Sequence, residues 1–421
     1  MSALFRALAA LLLFAAAALP AADAPRWWKG NLHTHTLWSD GDDYPDMIAD
    51  WYKSRGYHFL ALSDHNTLQV TNKWTTVSTN RTSQLALQKY LARFGEKQVE
   101  RREEKGKTLV RLKRFDEMSQ QFNAPEQFLL IQSQEVTDRW KTAPIHINAH
   151  NLREAIKPRG GSNVVEVMQN NVAAIFEQRR KTGQPMIPHL NHPNFGWAIT
   201  AEELALVRGE QFFEVYNGHA SANNAGDTNR VGTERIWDIV LTKRLAELRL
   251  GPLYGLATDD GHNYHTNAFK ANNPGRGWVM VRAPKLDAAA LVKALEAGDF
   301  YSSTGVTLRD VRRGKDRLEI EIEAEPGIEY TTQFIGTRAG YDPTSEPIRN
   351  SAGLALRTTH RYSDSVGAVL AEVKGLAPRY ELKGDEIYVR ARVTSTKPQE
   401  NPYAKGELAK AWTQPVILGA K

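Results

Sequence analysis

Histidine is spread unevenly along this chain of 421 residues: eleven of the twelve fall between His33 and His265, and only His360 lies beyond. The first two, in Gly30-Asn-Leu-His33-Thr-His35, stand two apart at the end of a strand-like segment. Residues i and i+2 of a strand point to one face, so two imidazoles converge on one ion. Further polar groups follow apolar runs in the same way. Leu62-Ser-Asp64-His65 follows Phe59-Leu-Ala-Leu62, and Gln134-Glu135-Val136 ends a third run, where a carboxylate could bridge two ions. Pro144-Ile-His146 comes next, Leu190-Asn191-His192-Pro193 follows Pro185-Met-Ile-Pro188, and Thr258-Asp259-Asp260-Gly261-His262 closes the series. Any one of these is more often a satisfied structural polar residue. Six in succession, each at the carboxyl end of a strand, mark the place where α/β barrels and sheets put their sites. Imidazole with carboxylate and no thiolate suits Zn, Mn or Fe in open, catalytic sites.

The elements that must hold these groups alternate. Strand segments are expected over Gly30 to His35, His58 to Leu62, Phe128 to Val136, Ile145 to Asn148, Pro185 to His189, Phe212 to Tyr216, Leu253 to Thr258 and Trp278 to Val281. Helical stretches fall at Tyr44 to Arg55, Val164 to Lys181, Ala201 to Arg208, Thr233 to Leu248 and Asp287 to Ala297. That rhythm predicts an α/β fold with a mainly parallel sheet or barrel over about residues 25–306. A polar, mostly helical insertion is expected over about residues 69–125. From 307 to 421 the helix signals vanish, and Arg317-Leu-Glu-Ile-Glu-Ile-Glu323 and Glu386-Ile-Tyr-Val-Arg-Ala-Arg392 alternate with period two, the pattern of a small β-sandwich.

Composition narrows the function. Cysteine is absent, which excludes a cysteine nucleophile and a thiolate metal site. Residues 1–24 read as a signal peptide: Arg6, an apolar run from Ala7 to Leu19, then Ala21, Ala22 and Ala24, with the mature chain starting near Asp23 or Pro25. The run falls short of the roughly 20 residues a bilayer span needs, so an exported, periplasmic or secreted protein is expected rather than an anchored one. The net charge of +6 is local, because Arg93 to Arg114 holds nine Lys/Arg against four Asp/Glu. A solvated helix and loop is the plain explanation; attraction of an anionic substrate or of nucleic acid is the sharper one.

The order HxH, Ser39-Asp40-Gly41, Ser63-Asp64-His65, Glu135, His146, His192-Pro193 and Asp260-Gly-His262 resembles the PHP (polymerase and histidinol phosphatase) family of metallohydrolases. The exported branch related to carbaryl-type hydrolases is the most similar, over about Gly30 to Gly305, including Phe300-Tyr-Ser-Ser-Thr-Gly305. The resemblance implies a distorted (β/α)7 barrel, here followed by the β-sandwich. It implies that His33, His35, Glu135 and Asp260 hold one metal, that Glu135, His146 and His192 hold a second, and that Asp40, His65 and His262 fall where some members hold a third. Asp40 stands where the histidinol phosphatases carry histidine. Asp259 competes with Asp260, which is preferred because with His262 it restores the i, i+2 geometry. His150 competes with His146, preferred for its place just after the glutamate strand, and His189 competes with His192, preferred for the proline that follows.

With no GxSxG motif and no cysteine, the nucleophile expected is water held between two of two or three divalent ions as a bridging hydroxide. Asp64, beside His65, would act at the catalytic centre by orienting an imidazole. Asn191, Asn217, His219 and Arg276 would bind a small substrate, Arg276 an anionic group, and Arg276 and Arg55 are the candidates for a cationic cluster near the metals. Phosphoester hydrolysis is the leading expectation, as the commonest chemistry of the resembled family. Cleavage of a carbamate, ester or amide is the alternative, and a cluster of Arg/Lys near the metals would favour phosphate. A glycan-binding protein with a vestigial metal site would have lost ligands, and export argues against a replicative nuclease; nucleic acid is not an expected partner.

Overall fold

Nine strands carry the candidate site: β1 (Arg26–Asn31), β2 (Phe59–Leu62), β3 (Leu129–Trp140), β4 (Ala143–His150), β5 (Ile187–Leu190), β6 (Phe212–Asn217), β7 (Tyr254–Thr258), β8 (Trp278–Ala283) and β9 (Phe300–Ser303). The computed structural model describes residues 24–418, so the signal peptide expected over 1–24 lies, but for Ala24, outside the described residues. Among the described residues no helix is long and apolar enough to cross a membrane.

The strands form one sheet in the order β7-β6-β5-β4-β3-β2-β1-β8-β9. β2 and β6 are buried at every residue, the mark of strands covered on both faces. The pairs β1–β2, β2–β3, β5–β6 and β6–β7 are parallel. The pairs β3–β4, β4–β5, β1–β8 and β8–β9 are antiparallel, so the sheet is more mixed than its strand-helix rhythm predicts. The cause is local: β3 and β4 are joined through Lys141 and Thr142 alone, Lys141 with φ 54°, and a two-residue turn can only reverse the chain.

Helices cover this sheet where their ends are signalled. Pro45–Ser54 starts with proline in its first turn; Val164–Thr182 is capped by Asn163 and stops at Gly183 with φ 69°; Ala288–Glu296 is capped by Asp287. The 69–125 insertion is less helical than expected. Helices Arg81–Phe94 and Phe115–Phe122 flank a three-stranded antiparallel patch of Trp74–Thr76, Arg101–Glu104 and Lys107–Arg111. Its hairpin turns on Lys105 and Gly106, with φ 51° and 69°, the conformation a two-residue hairpin needs. Arg93, Arg101, Arg102, Arg111 and Arg114 of the basic segment are in ion pairs with neighbouring acids, which reduces its field.

Beyond Thr307 most strands fall into two sheets that share one core, and Ser345–Glu346 and Arg361–Tyr362 form a separate two-stranded pair. Leu308–Arg313, Arg317–Ile322 and Arg379–Glu381 make one sheet. Tyr330–Arg338, Ala368–Lys374, Glu386–Pro398 and Leu408–Thr413 make the other, and Leu308, Leu318 and Ile320 pack with Phe334, Val389 and Val393 between them. The second sheet is continuous with the main one, because Leu408–Thr413 pairs with β9. β7 is tied to this arrangement by side chains instead of a ladder. Ser302 Oγ accepts from Ala257 N at 3.0 Å and donates to Gly255 O at 2.8 Å, and the Gln414 amide accepts from Gly255 N and donates to Gly255 O, each at 2.9 Å. Ser302→Ala leaves a buried N–H without its partner and weakens the hold on a carbonyl, at about 1–3 kcal/mol per unsatisfied group. The expected result is a lower urea midpoint with the slope unchanged, corresponding to a loss of about 2 kcal/mol of stability.

Candidate metal centre

The carboxyl ends of β1 and β7 are locked to each other by main-chain bonds: Asp260 N donates to His33 O at 3.0 Å and His35 N to Gly261 O at 3.0 Å. This brings the HxH and DxH segments side by side. Asp260 takes φ 49°, a left-handed conformation rare outside glycine, and the two adjacent acids part there. Asp260 turns into the cluster, with Oδ1 3.1 Å from His35 Nε2 and 3.3 Å from His33 Nε2. Asp259 turns away and accepts from Arg276 N at 2.6 Å, from Gly275 N and Gly277 N at 2.8 Å and from the Tyr52 hydroxyl at 2.7 Å.

Glu135, on β3, is at the centre. Its Oε2 lies 3.3 Å from His35 Nε2, 3.6 Å from His33 Nε2 and 2.8 Å from His65 Nδ1; its Oε1 lies 3.0 Å from His146 Nδ1 and 3.7 Å from His192 Nε2. His33 Nε2 and His35 Nε2 are 3.1 Å apart. A tetrahedron with Zn–N bonds of 2.0–2.1 Å has edges of about 3.3 Å, so these are the spacings of donors around a common cation. Glu135 Oε2 and His146 Nδ1 are buried with no hydrogen-bond partner, a costly state that ligation removes. A further set surrounds the half-exposed Asp40, whose oxygens are 3.6 Å from His35 Nδ1, 3.6 Å from His65 Nε2 and 3.5 Å from His262 Nε2. The donors therefore fit divalent cations in overlapping groups that differ in part from those the resemblance implies: His33, His35 and Glu135; His33, His192 and Asp260; His65, Glu135 and His146; and His35, Asp40, His65 and His262.

The charges are mutually dependent. Burial raises the Glu135 carboxyl, but His65, His146 and His33 more than offset it and hold it well below the usual range. Burial lowers His33, and Asp260, Glu214 and Glu135 carry it well above its ordinary value. His35, buried and facing His262, falls to about 3 and stays neutral, the form that ligates.

Behind these donors lies a layer the sequence did not disclose. Glu214, in the middle of β6, accepts from or pairs with His33 Nδ1 at 2.7 Å, Thr258 Oγ1 at 2.8 Å, His192 N at 2.7 Å and the Asn217 amide at 2.7 Å. It is also 3.2 Å from His189 Nε2, and His189 Nδ1 is 2.9 Å from His150 Nε2, so His150 and His189 stand behind the cluster while His146 and His192 face Glu135. The one signal of Glu214 was an acid inside the apolar run Phe212-Phe-Glu-Val-Tyr.

Several residues expected to touch substrate or to orient an imidazole instead hold the framework. Asp64 accepts from Thr36 N, Thr36 Oγ1, Ser39 Oγ and Gln69 Nε2 at 2.7–2.9 Å, fixing the turn after His35, and it reaches an imidazole only through Ser39, whose Oγ is 3.4 Å from His35 Nδ1. The Asn191 amide donates to Glu135 Oε1 at 2.7 Å, and that of Asn217 bridges Glu214 and Asp260. Arg276 is fully buried and its donors go to main-chain oxygens of Gly218, Ala268, Phe269, Ala271, Asn401 and Pro402, which leaves none for a substrate anion. Arg55 lies over Trp51, outside the cluster. His219 does face the site, between Phe195 and His262 with ring centroids 5.7 and 5.5 Å away.

Two substitutions separate the adjacent acids. Asp260→Asn should lose bound metal by elemental analysis while keeping its thermal midpoint, whereas Asp259→Asn should lower the midpoint by several degrees, having weakened three buried main-chain bonds. Glu214→Gln keeps the shape but removes the charge facing His33 Nδ1; metal affinity in competition with a chelator should fall about 10–100-fold with the fold retained.

No family model matches the chain, and no curated protein matches it. Among solved structures, it is similar to a two-domain protein from Bacteroides vulgatus containing a predicted PHP-like metal-dependent phosphoesterase, at 15% identity over 94% of this chain and 97% of that one, with a TM-score of 0.39. It is also similar to an amidohydrolase from Chromobacterium violaceum, solved with sulfate and no metal, at 13% identity over 56% of this chain and 88% of that one, with a TM-score of 0.25.

Proposed function

We propose that this chain is a metal-dependent hydrolase of a small ester, a phosphoester first. The observation that carries the reading is Glu135, a buried carboxylate whose two oxygens face two different sets of imidazoles and whose Oε2 is otherwise unpaired. Divalent ions bound there would polarise the substrate oxygen and lower the pKa of a coordinated water toward 7. The chain's own part is to fix the donors and to shape the pocket. His219 Nδ1 accepts from Ser221 N at 3.1 Å, which leaves the ring proton on Nε2. Burial, aided by His262 and His192 against Asp260, lowers this imidazole to about 4, so it is neutral at pH 7 and offers an N–H to a substrate oxygen. Phe195, with its ring centroid 4.9 Å from that of His192, supplies an apolar wall for the body of the substrate.

Adjacent donor sets favour a phosphoester, since several cations can share the charge on its oxygens. A second reading, hydrolysis of a carbamate, ester or amide, is favoured by one observation: among the described residues no Lys or Arg is paired with Glu135, Asp260 or Asp40, so a guanidinium clamp for phosphate is missing. A panel of phosphomonoesters, phosphodiesters, carbamate esters and amides, run on metal-reconstituted protein, decides between them. Phosphoester turnover that disappears in the folded His33→Ala/His35→Ala variant is the expected result. Turnover of carbamates or amides alone would replace the first reading by the second, and full activity in the metal-analysed double variant would remove both.

A further inference from the structure

Outside the cluster, a hollow of about 590 Å³ opens beside β1, lined by Lys29, Trp51, Arg55, Tyr57, Tyr264 and Trp278 among others. The Lys29 ammonium sits 4.0 Å from the Tyr57 ring centroid and 4.1 Å from that of Trp278, and the Arg55 guanidinium 4.2 Å from that of Trp51. Aromatic faces hold both cations in place without neutralising them. One carboxylate, Glu400, lines the hollow, and among the described residues neither cation is in an ion pair. Lys29 is lowered to about 8 by burial, with Asp259 and Glu400 acting the other way, so at neutral pH it keeps its charge while partly withdrawn from water and in direct contact with no carboxylate. Such a group gains from an incoming anion. The side-chain amide of Asn267 adds a neutral donor to the same space, while those of Asn263, Asn273 and Asn401 already donate to Asp42 and to the main-chain oxygens of Asn263, Thr266 and Pro274.

We infer that this hollow is a second ligand site, for a small organic anion with a flat apolar body, and that its occupation steadies the segment bearing Asp260 and His262. The coupling is short. Gly275, in the wall, donates to Asp259 Oδ2 at 2.8 Å, and Asp259 is chained to Asp260. Tyr264, also in the wall, donates from its hydroxyl to Gly261 O at 3.1 Å, and His262 N donates to Asn272 O at 2.8 Å, next to Asn273 of the lining. Binding itself stands apart from the hydrolase reading; only the effect on turnover rests on it.

Benzoate is a suitable probe, followed by equilibrium dialysis on the metal-loaded full chain and by fluorescence of Trp51 and Trp278. The expected result is one saturable benzoate per chain, weakened at least about tenfold in Lys29→Met and in Arg55→Met. Metal content and benzoate-free turnover should be unchanged in both variants, and benzoate should alter turnover of the native protein only. Binding that survives both substitutions, that vanishes in His33→Ala/His35→Ala while persisting in Lys29→Met, or that fails to saturate by tens of millimolar overturns the site. Saturable binding with no change in turnover on a substrate the panel has identified keeps the ligand site and overturns the coupling.

Discussion

A fully buried carboxylate among five imidazoles is the constraint on which the rest depends. Glu135 is 1% exposed at its side chain, and an ionised carboxylate taken out of water costs several kcal/mol unless opposite charge or donors surround it. His33 and His35 follow β1, His65 follows β2, His146 lies in β4 and His192 follows β5, so the folded sheet must bring four chain segments to within 3.7 Å of one residue. An outer layer makes that arrangement tolerable. Glu214 balances His33 from behind, Asn191 donates to the Glu135 oxygen that faces His146, and Asn217 ties Glu214 to Asp260. The inner groups are left facing one another around common centres, and the outer groups prevent them from relaxing.

The same economy explains the paired acids. Thr258 ends β7, Asp259 satisfies three successive main-chain N–H groups of the Gly275–Gly277 turn, and Asp260 is thereby held in a left-handed conformation that an unconstrained aspartate would leave. Strain of this kind costs on the order of 1–3 kcal/mol and persists only where the surroundings over-determine it. Two carboxylates adjacent in sequence thus do opposite work, one anchoring main chain and one facing the donors.

Much of this was legible in the sequence because the inner groups sit where short-range rules apply. HxH and DxH spacing, a proline after His192 and acids after apolar runs are local signals, and the strands they imply fall within a few residues of those in the structure. What escaped is what depends on partners far along the chain. Arg276 has the appearance of an anion-binding residue until Asn401 and Pro402 arrive to take its donors, and Glu214 is indistinguishable from a stray charge until His33 and His189 meet it. The reversal at Lys141 and the hairpin at Lys105-Gly106 were local, but their signals were weaker than the helical and parallel patterns around them. The alternation after Thr307 foretold strands and not their continuity with the main sheet.

That continuity bears on how the protein is made. β7 is held by Gln414, a contact spanning 159 residues, and β9 by Leu408–Thr413. Chain emerging from the ribosome has every proposed metal donor in place long before these last strands exist. Until they do, one rim of the sheet stays open, with unpaired main-chain groups of β9 facing water or any neighbouring nascent chain. Contacts so distant in sequence are slow to form, because loop closure must precede them. The closing of that edge of the sheet therefore waits for residues 408–414 of the same polypeptide.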